Sequence, residues 1–451
     1  MIKTKAGLLG GILAIALGGS AMSTAALAQS AADLGKSLTP LGAEKAGNKD
    51  GTIPEWTGGL TAPPAGYKPG MHYIDPFAAD KPLFTIDASN MAQYADKLTE
   101  GHKALFKTYG QTYKMAVYPT RRSASYPKEV YDAIMANATN AKLVANGSGV
   151  EGAKVGSPFP IPKEGVQAVW NHLLRWRGLN LERTYGQANP LPDGAYTMIT
   201  INEKVKFLYN SPEGARGNTS IFFLQEVTAP ARLAGEVLLV HESMNQLAEP
   251  RNAWTYNPGQ RRVRRAPNVA YDNPGTAADG LRTSDQLDLY NGSPDRYNWK
   301  LVGKKEMYVP YNAYKMVAKG TRDADIIKPK HINQELARYE LHRVWVVEGE
   351  LKPGTSHIYA KRRFYLDEDS WLIVAADQYD ARGQLWRVSE YHGLNYYELP
   401  TYSGAFETHY DLQSGRYTVS GFIGEGPPYD NQVKFTENDF SPDGLRRAGV
   451  R

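Results

Sequence analysis

The chain has no cysteine in 451 residues. That excludes disulfides, thiolate zinc sites, a cysteine nucleophile and lipid attachment at a cysteine. Net charge is also small. It is +5 overall and falls to +3 if a leader carrying Lys3 and Lys5 is removed. Nucleic-acid proteins carry a large basic excess over a whole face, so no nucleic-acid partner is expected. No apolar run after the N-terminal segment approaches membrane-spanning length, which argues against an integral membrane protein. No G-x-S-x-G occurs, and the nine histidines lack ligand spacing, so neither an esterase elbow nor a metal centre is expected. No cofactor is expected either.

Two further stretches carry the letters of a motif without its context. "GSGVEG" (Gly147, Gly149, Gly152) matches G-x-G-x-x-G, but a helical pattern precedes it and a proline-rich segment follows. The dinucleotide loop needs the reverse, a strand before and a helix after. "HESMN" opens like a zinc-protease motif, yet the second histidine is replaced by Asn245. His241 and Glu242 remain as an acid/base pair for a less favoured hydrolase reading.

What is present divides the chain into three parts. Residues 1–28 combine a basic "MIKTK", an apolar stretch too short to span, and "ALA" at Ala26 to Ala28. This pattern predicts a secretory signal cleaved after Ala28 and a periplasmic destination. Residues 29–190 read as an irregular Pro/Gly-rich wrap followed by three helices, over about 88–109, from Ser125 and Pro127 to Gly147, and over 163–178. Residues 191–451 change to a period of two, with alternating or β-branched runs separated by turn residues such as "DEDS" and "DARGQ". The fold class predicted is α+β: a curled antiparallel β half-barrel covered by helices, with the N-terminal irregular and helical extension, a long 270–298 loop and a C-terminal tail.

The densest positive charge lies in "AWTYNPGQRRVRRAP". Pro258 and Gly259 suit the centre of a type II turn, which makes a hairpin whose second arm holds Arg261, Arg262, Arg264 and Arg265. Neither face of that arm is apolar, so it belongs at a sheet rim. With Trp254 and Tyr256 these arginines form the candidate ligand-binding set, in competition with a structural role in which they pair with carboxylates. Asp279, Asp285, Asp288 and Asp295 of the long loop are the expected partners, and the loop itself is a candidate lid.

The segments "LTPLGAEKAGNKDGTIPEWTGG", "PGQRRVRRAP" and "DRYNWKLVGKKEMYVPYN" resemble domain-of-unknown-function family 1329, an outer-membrane lipoprotein-sorting-like family, over nearly all of the chain. The W-x-Y-x-P segment and the paired strands around "DARGQ" are also similar to periplasmic lipoprotein carriers of the LolA and LolB type. The resemblance implies a LolA-like half-barrel enclosing an apolar cavity, and members encoded near RND-type exporters. The function expected is therefore a non-enzymatic periplasmic carrier or binding protein for a hydrophobic, anionic, lipid-like ligand. Its expected partners are an amphiphilic small molecule or lipid, an RND-type transporter and an outer-membrane component. A cell-envelope glycan-binding module is the alternative.

Overall fold

The computed structural model describes residues 29–449 apart from 213 and 216, so the expected signal segment, 1–28, lies outside the described residues. In chain order the strands are β1 (Phe84–Ile86), β2 (Met115–Tyr118), β3 (Lys142–Val144), β4 (Gly149–Glu151), β5 (Asn180–Ala188), β6 (Ile199–Lys206), β7 (Thr219–Ala229), β8 (Val237–Ser243) and β9 (Asn252–Asn257). They continue as β10 (Arg262–Arg265), β11 (Tyr297–Pro310), β12 (Tyr339–Leu351), β13 (Lys361–Asp367), β14 (Ile373–Tyr379), β15 (Leu385–Tyr396), β16 (Thr401–Asp411) and β17 (Arg416–Phe422). The three longer helices of the N-terminal region are α1 (Glu100–Tyr109), α2 (Lys128–Asn140) and α3 (Gly165–Leu174).

Fifteen strands form one sheet, with β3 and β4 apart as a small hairpin. The sheet is two antiparallel meanders, β11 to β17 and β5 to β10, joined where β17 pairs with β5. It does not close: β10 is one edge and β11 another, while β2 adds in parallel to the start of β12 and carries β1. The architecture is thus α+β with a large open antiparallel sheet and few helices. The boundary expected near residue 190 falls between β5 and β6, which pair with each other, and β1 and β2 of the N-terminal segment belong to the same sheet. "GSGVEG" lies in the β3–β4 hairpin, which has no helix behind it to cradle a phosphate.

Local chemistry moved the predicted helix ends. The first predicted helix breaks in two: a tighter turn over Met91–Lys97, then α1, whose Thr99 hydroxyl accepts from the His102 amide at 2.9 Å. Ser125 does not cap α2, since its hydroxyl donates to the Leu60 carbonyl at 2.6 Å. α2 also stops at Asn140 rather than 147, where Leu143 and Val150 pair across the small hairpin. α3 ends before Gly178 because Arg175 leaves helical geometry, and its guanidinium reaches Asp288 at 2.5 Å.

The β7 and β8 runs explain why the sheet is covered on both sides. Phe222, Leu224, Val237 and Leu239 face a cluster completed by Phe435, Phe440 and Leu445 of the C-terminal segment. Their alternates Ile221, Phe223, Leu238 and Val240 face the opposite way and line a cavity. Burying one such side chain contributes roughly 1.5–3 kcal/mol, so the terminal segment fixes the outer face firmly. Among the described residues no helix is long and apolar enough to cross a membrane.

Candidate functional site

The inner face of β5 to β8, the end of α3, the long loop and parts of β15 and β16 enclose a cavity of about 170 Å³. β15 and β8 lie six places apart in the sheet order, so the sheet must curl for both to wall one space. That volume is more than ten times what one water molecule needs (roughly 10–15 Å³). Ile221, Phe223, Leu238 and Val240 make its floor, and Trp170, Leu173 and Leu174 of α3 close it from above. The Trp170 indole N–H is already spent on the Gly147 carbonyl at 2.9 Å, so its ring meets the cavity as an apolar surface.

Four arginines and three carboxylates interrupt this apolar lining. Arg183 pairs with Glu203 at 2.6 Å and Arg251 with Glu242 at 2.5 Å. Asp288 of the long loop takes Arg177 at 2.9 Å and the fully buried Arg175 at 2.5 Å. Burial alone would raise the Asp288 carboxyl, but the two guanidinium groups outweigh it and hold its pKa at about 2. Burial, reinforced by Arg175, brings Arg177 down to about 10.

The fourth, Arg282, is different. Its side chain is 4% exposed, and its nearest carboxylate oxygen, Oε1 of Glu407, is 4.0 Å from Nε. Glu407 is otherwise engaged, by the Asp288 amide at 2.8 Å and by His409 at 2.5 Å.

The long loop is pinned rather than solvated. The His172 Nδ1 accepts from the Ile373 amide at 3.1 Å, which leaves Nε2–H to donate to the carbonyls of Asp288 (2.9 Å) and Tyr290 (3.1 Å). Burial and then Arg175 lower the His172 pKa to about 3, so this neutral tautomer persists through the physiological range. Asp285 is buried against Arg362 at 2.6 Å and His357 at 3.1 Å. Asp279 meets Arg416 at 2.6 Å, and Asp295 accepts from the Tyr271 hydroxyl at 3.0 Å. Asp279, Asp285 and Asp288 neutralise cations of the scaffold and Asp295 meets a tyrosine hydroxyl, so these acids engage groups other than the arginine arm.

That arm lies elsewhere. β10 is the edge strand beyond β9, and Arg261, Arg262, Arg264 and Arg265 are all exposed. The turn is not type II: Gly259 keeps negative φ while Arg261 takes φ 50°, closing the hairpin with its amide on the Asn257 carbonyl at 2.8 Å. Cross-strand pairs share a face, so Trp254 and Tyr256, opposite Leu239 and Val237, point away from the cavity, as does Arg265. Arg265 stacks 5.4 Å from the Trp254 ring, and Tyr256 is buried under the C-terminal helix. Arg262 and Arg264 are on the cavity's side of the sheet but at its edge. None of these six residues is in the cavity lining.

Alternation likewise separates His241 from Glu242. His241 bonds the Phe440 carbonyl at 2.8 Å on the outer face, whereas Glu242 lines the cavity, so the two do not form an acid/base pair. His342, Asp367 and Asp369 do bring ligand-type atoms within 4.8 Å of one another. Both Asp369 oxygens, however, accept from Arg122 at 2.7 and 2.8 Å. Sequence spacing hid this group because its members come from β12, the end of β13 and the turn that follows it.

The cavity arginines were equally hidden, being four single residues on separate segments: the end of α3, β5, the link before β9 and the long loop. The signal available was the continuous apolar character of "SIFFLQ" and "EVLLV", which marks strands covered on both faces.

An uncharacterized protein of Pseudomonas aeruginosa, PA3922, is 51% identical over the full length of both chains. Solved structures with a related course are more distant. A putative outer membrane lipoprotein-sorting protein domain from Vibrio parahaemolyticus is 16% identical, with a TM-score of 0.42 over 60% of this chain and 92% of that one. A DUF1329 family protein from Desulfovibrio piger gives 16% and 0.39 over 59% and 92%. A LolA superfamily protein from Nitrosomonas europaea gives 14% and 0.38 over 63% and 100%. The family model described as protein of unknown function (DUF1329) matches residues 85–446, and together with the full-length relative it establishes that this chain belongs to the DUF1329 family.

Proposed function

We propose that the protein is a periplasmic carrier or binding protein for an amphiphilic, lipid-like molecule, held with its apolar part between the β5–β8 face and α3. The observation that carries this reading is the cavity itself, with its aliphatic and aromatic floor. Each buried methylene of a ligand contributes about 0.8 kcal/mol, so a chain of about ten carbons supplies enough gross energy for retention after ordering costs. A small molecule in transit to or from an RND-type exporter or the outer membrane fits this role. An enzymatic role is disfavoured by the separation of His241 and Glu242. The glycan-binding alternative is also disfavoured, because Tyr196 is the one aromatic among the large exposed hydrophobic residues described.

Native mass spectrometry of protein purified from its own host without detergent tests the reading. The wild type should carry an apolar adduct, and the cavity-filling pair Ile221→Trp and Leu238→Trp should lose it while remaining folded. Wild-type protein whose native mass equals that of its polypeptide alone, free of adduct, would count against the carrier.

A further inference from the structure

Arg282 differs from every other charged residue of the cavity. Arg177, Arg183 and Arg251 each meet a carboxylate at 2.9 Å or less. Arg282 has no hydrogen-bond acceptor among the described residues, and Glu407 behind it is 4.0 Å away with both oxygens engaged. Its side chain is nonetheless only 4% exposed. None of its nitrogens is among the buried polar atoms left without a partner, so they retain access to the cavity that the residue lines.

The loop is shaped around this group. A Cβ at Gly275 would come within 3.1 Å of the Arg282 Cζ, so the glycine leaves room for the guanidinium against the loop backbone. A buried cation with unfilled donors is costly unless an anion completes it. The planar fork of five N–H donors matches one carboxylate or one phosphate in two-pronged geometry. The lining's other charges are arginines and acids already paired with protein groups, which leaves Arg282 as the donor set open to a ligand.

We propose that Arg282 anchors the head of the ligand, a single carboxylate or phosphate, while the ligand's chain lies along Ile221, Phe223, Leu238 and Val240. This rests on the carrier reading above and narrows its ligand to anionic amphiphiles. Because Arg282 makes no internal hydrogen bond, Arg282→Gln removes only its long 4.0 Å contact with Glu407 from the polar contacts of the fold.

The test is displacement of a neutral fluorophore, N-phenyl-1-naphthylamine, by hexadecanoic acid, hexadecyl phosphate and 1-hexadecanol. Wild-type protein should prefer the two acids over the alcohol by roughly tenfold to a hundredfold. Arg282→Gln should bring the acids down to the alcohol and leave the alcohol unchanged, and Arg282→Lys should keep part of the preference. Preference for both acids supports any single anion, and preference for the phosphate alone assigns a phosphorylated lipid. Equal binding of acids and alcohol by the wild type, or an undiminished preference in Arg282→Gln, would overturn the assignment while the cavity reading stood. Absence of any binding, the alcohol included, would remove the cavity reading and this proposal together.

Discussion

The protein holds two groups of arginines that look alike in composition and differ in every physical respect. The arm group, Arg261 to Arg265, is contiguous, exposed and at the sheet edge. The cavity group, Arg177, Arg183, Arg251 and Arg282, is dispersed over α3's end, β5, the β8–β9 link and the long loop, and sits beside apolar side chains. Exposed charge is cheap and nearly free of consequence for the fold, whereas buried charge must be matched group by group. Charge density along the chain therefore advertises the arm, and only burial and partner distances reveal the cavity set.

The comparison can be broken most forcefully at Asp288. Replacing it with Asn strips the fully buried Arg175 and its neighbour Arg177 of their anion, and denaturant unfolding should show a loss on the order of 3 kcal/mol. A loss near zero would mean that the α3–loop contact does not hold the cavity closed.

Acid should act on the same contact more gradually. His172 titrates near 6.5 when unfolded and near 3 when folded, so below about pH 6.5 the unfolded chain binds a proton that the folded chain refuses. Stability is full above that point and falls as pH drops toward 3, by a few kcal/mol in all. Thermal melts of wild type and His172→Gln across this range should diverge at pH 7 and converge at low pH, because the variant lacks the titrating ring. Parallel curves would place the acid sensitivity elsewhere.

The smallest effect belongs to the arm. Converting all four of its arginines to Gln should change stability by less than about 1 kcal/mol and leave hexadecanoic acid affinity unaltered. Loss of that affinity would return ligand recognition to the arm and reverse the contrast between the two groups.

Much of the fold was legible in the sequence. Period-two runs from residue 195 onward became strands β6 to β8, β11 to β15 and β17, and both "DEDS" and "DARGQ" turned out to be hairpin turns. β5 and β16 escaped because "NLERTYGQA" and "TYSGAFETHYD" mix Gly, charge and aromatics without a clear period. β16 is buried along nearly its whole length, its polar residues satisfied by neighbours such as His409 with Ser389 at 2.8 Å, and such pairing has no one-dimensional signature. The site was less legible. The long loop was marked by its length, yet the acids expected to meet the arm instead meet Arg175, Arg362 and Arg416, partners that are 113, 77 and 137 residues away. Arg282, one arginine inside that loop, carried no pattern at all.

A crystal structure grown with 16-bromohexadecanoic acid would test the central claim most directly, because anomalous scattering locates the end of the chain without ambiguity. The bromine should appear among Ile221, Phe223, Leu238 and Val240, with the carboxylate at Arg282. A bromine bound only outside this cavity, or a cavity that stays vacant at saturating acid, would contradict the account.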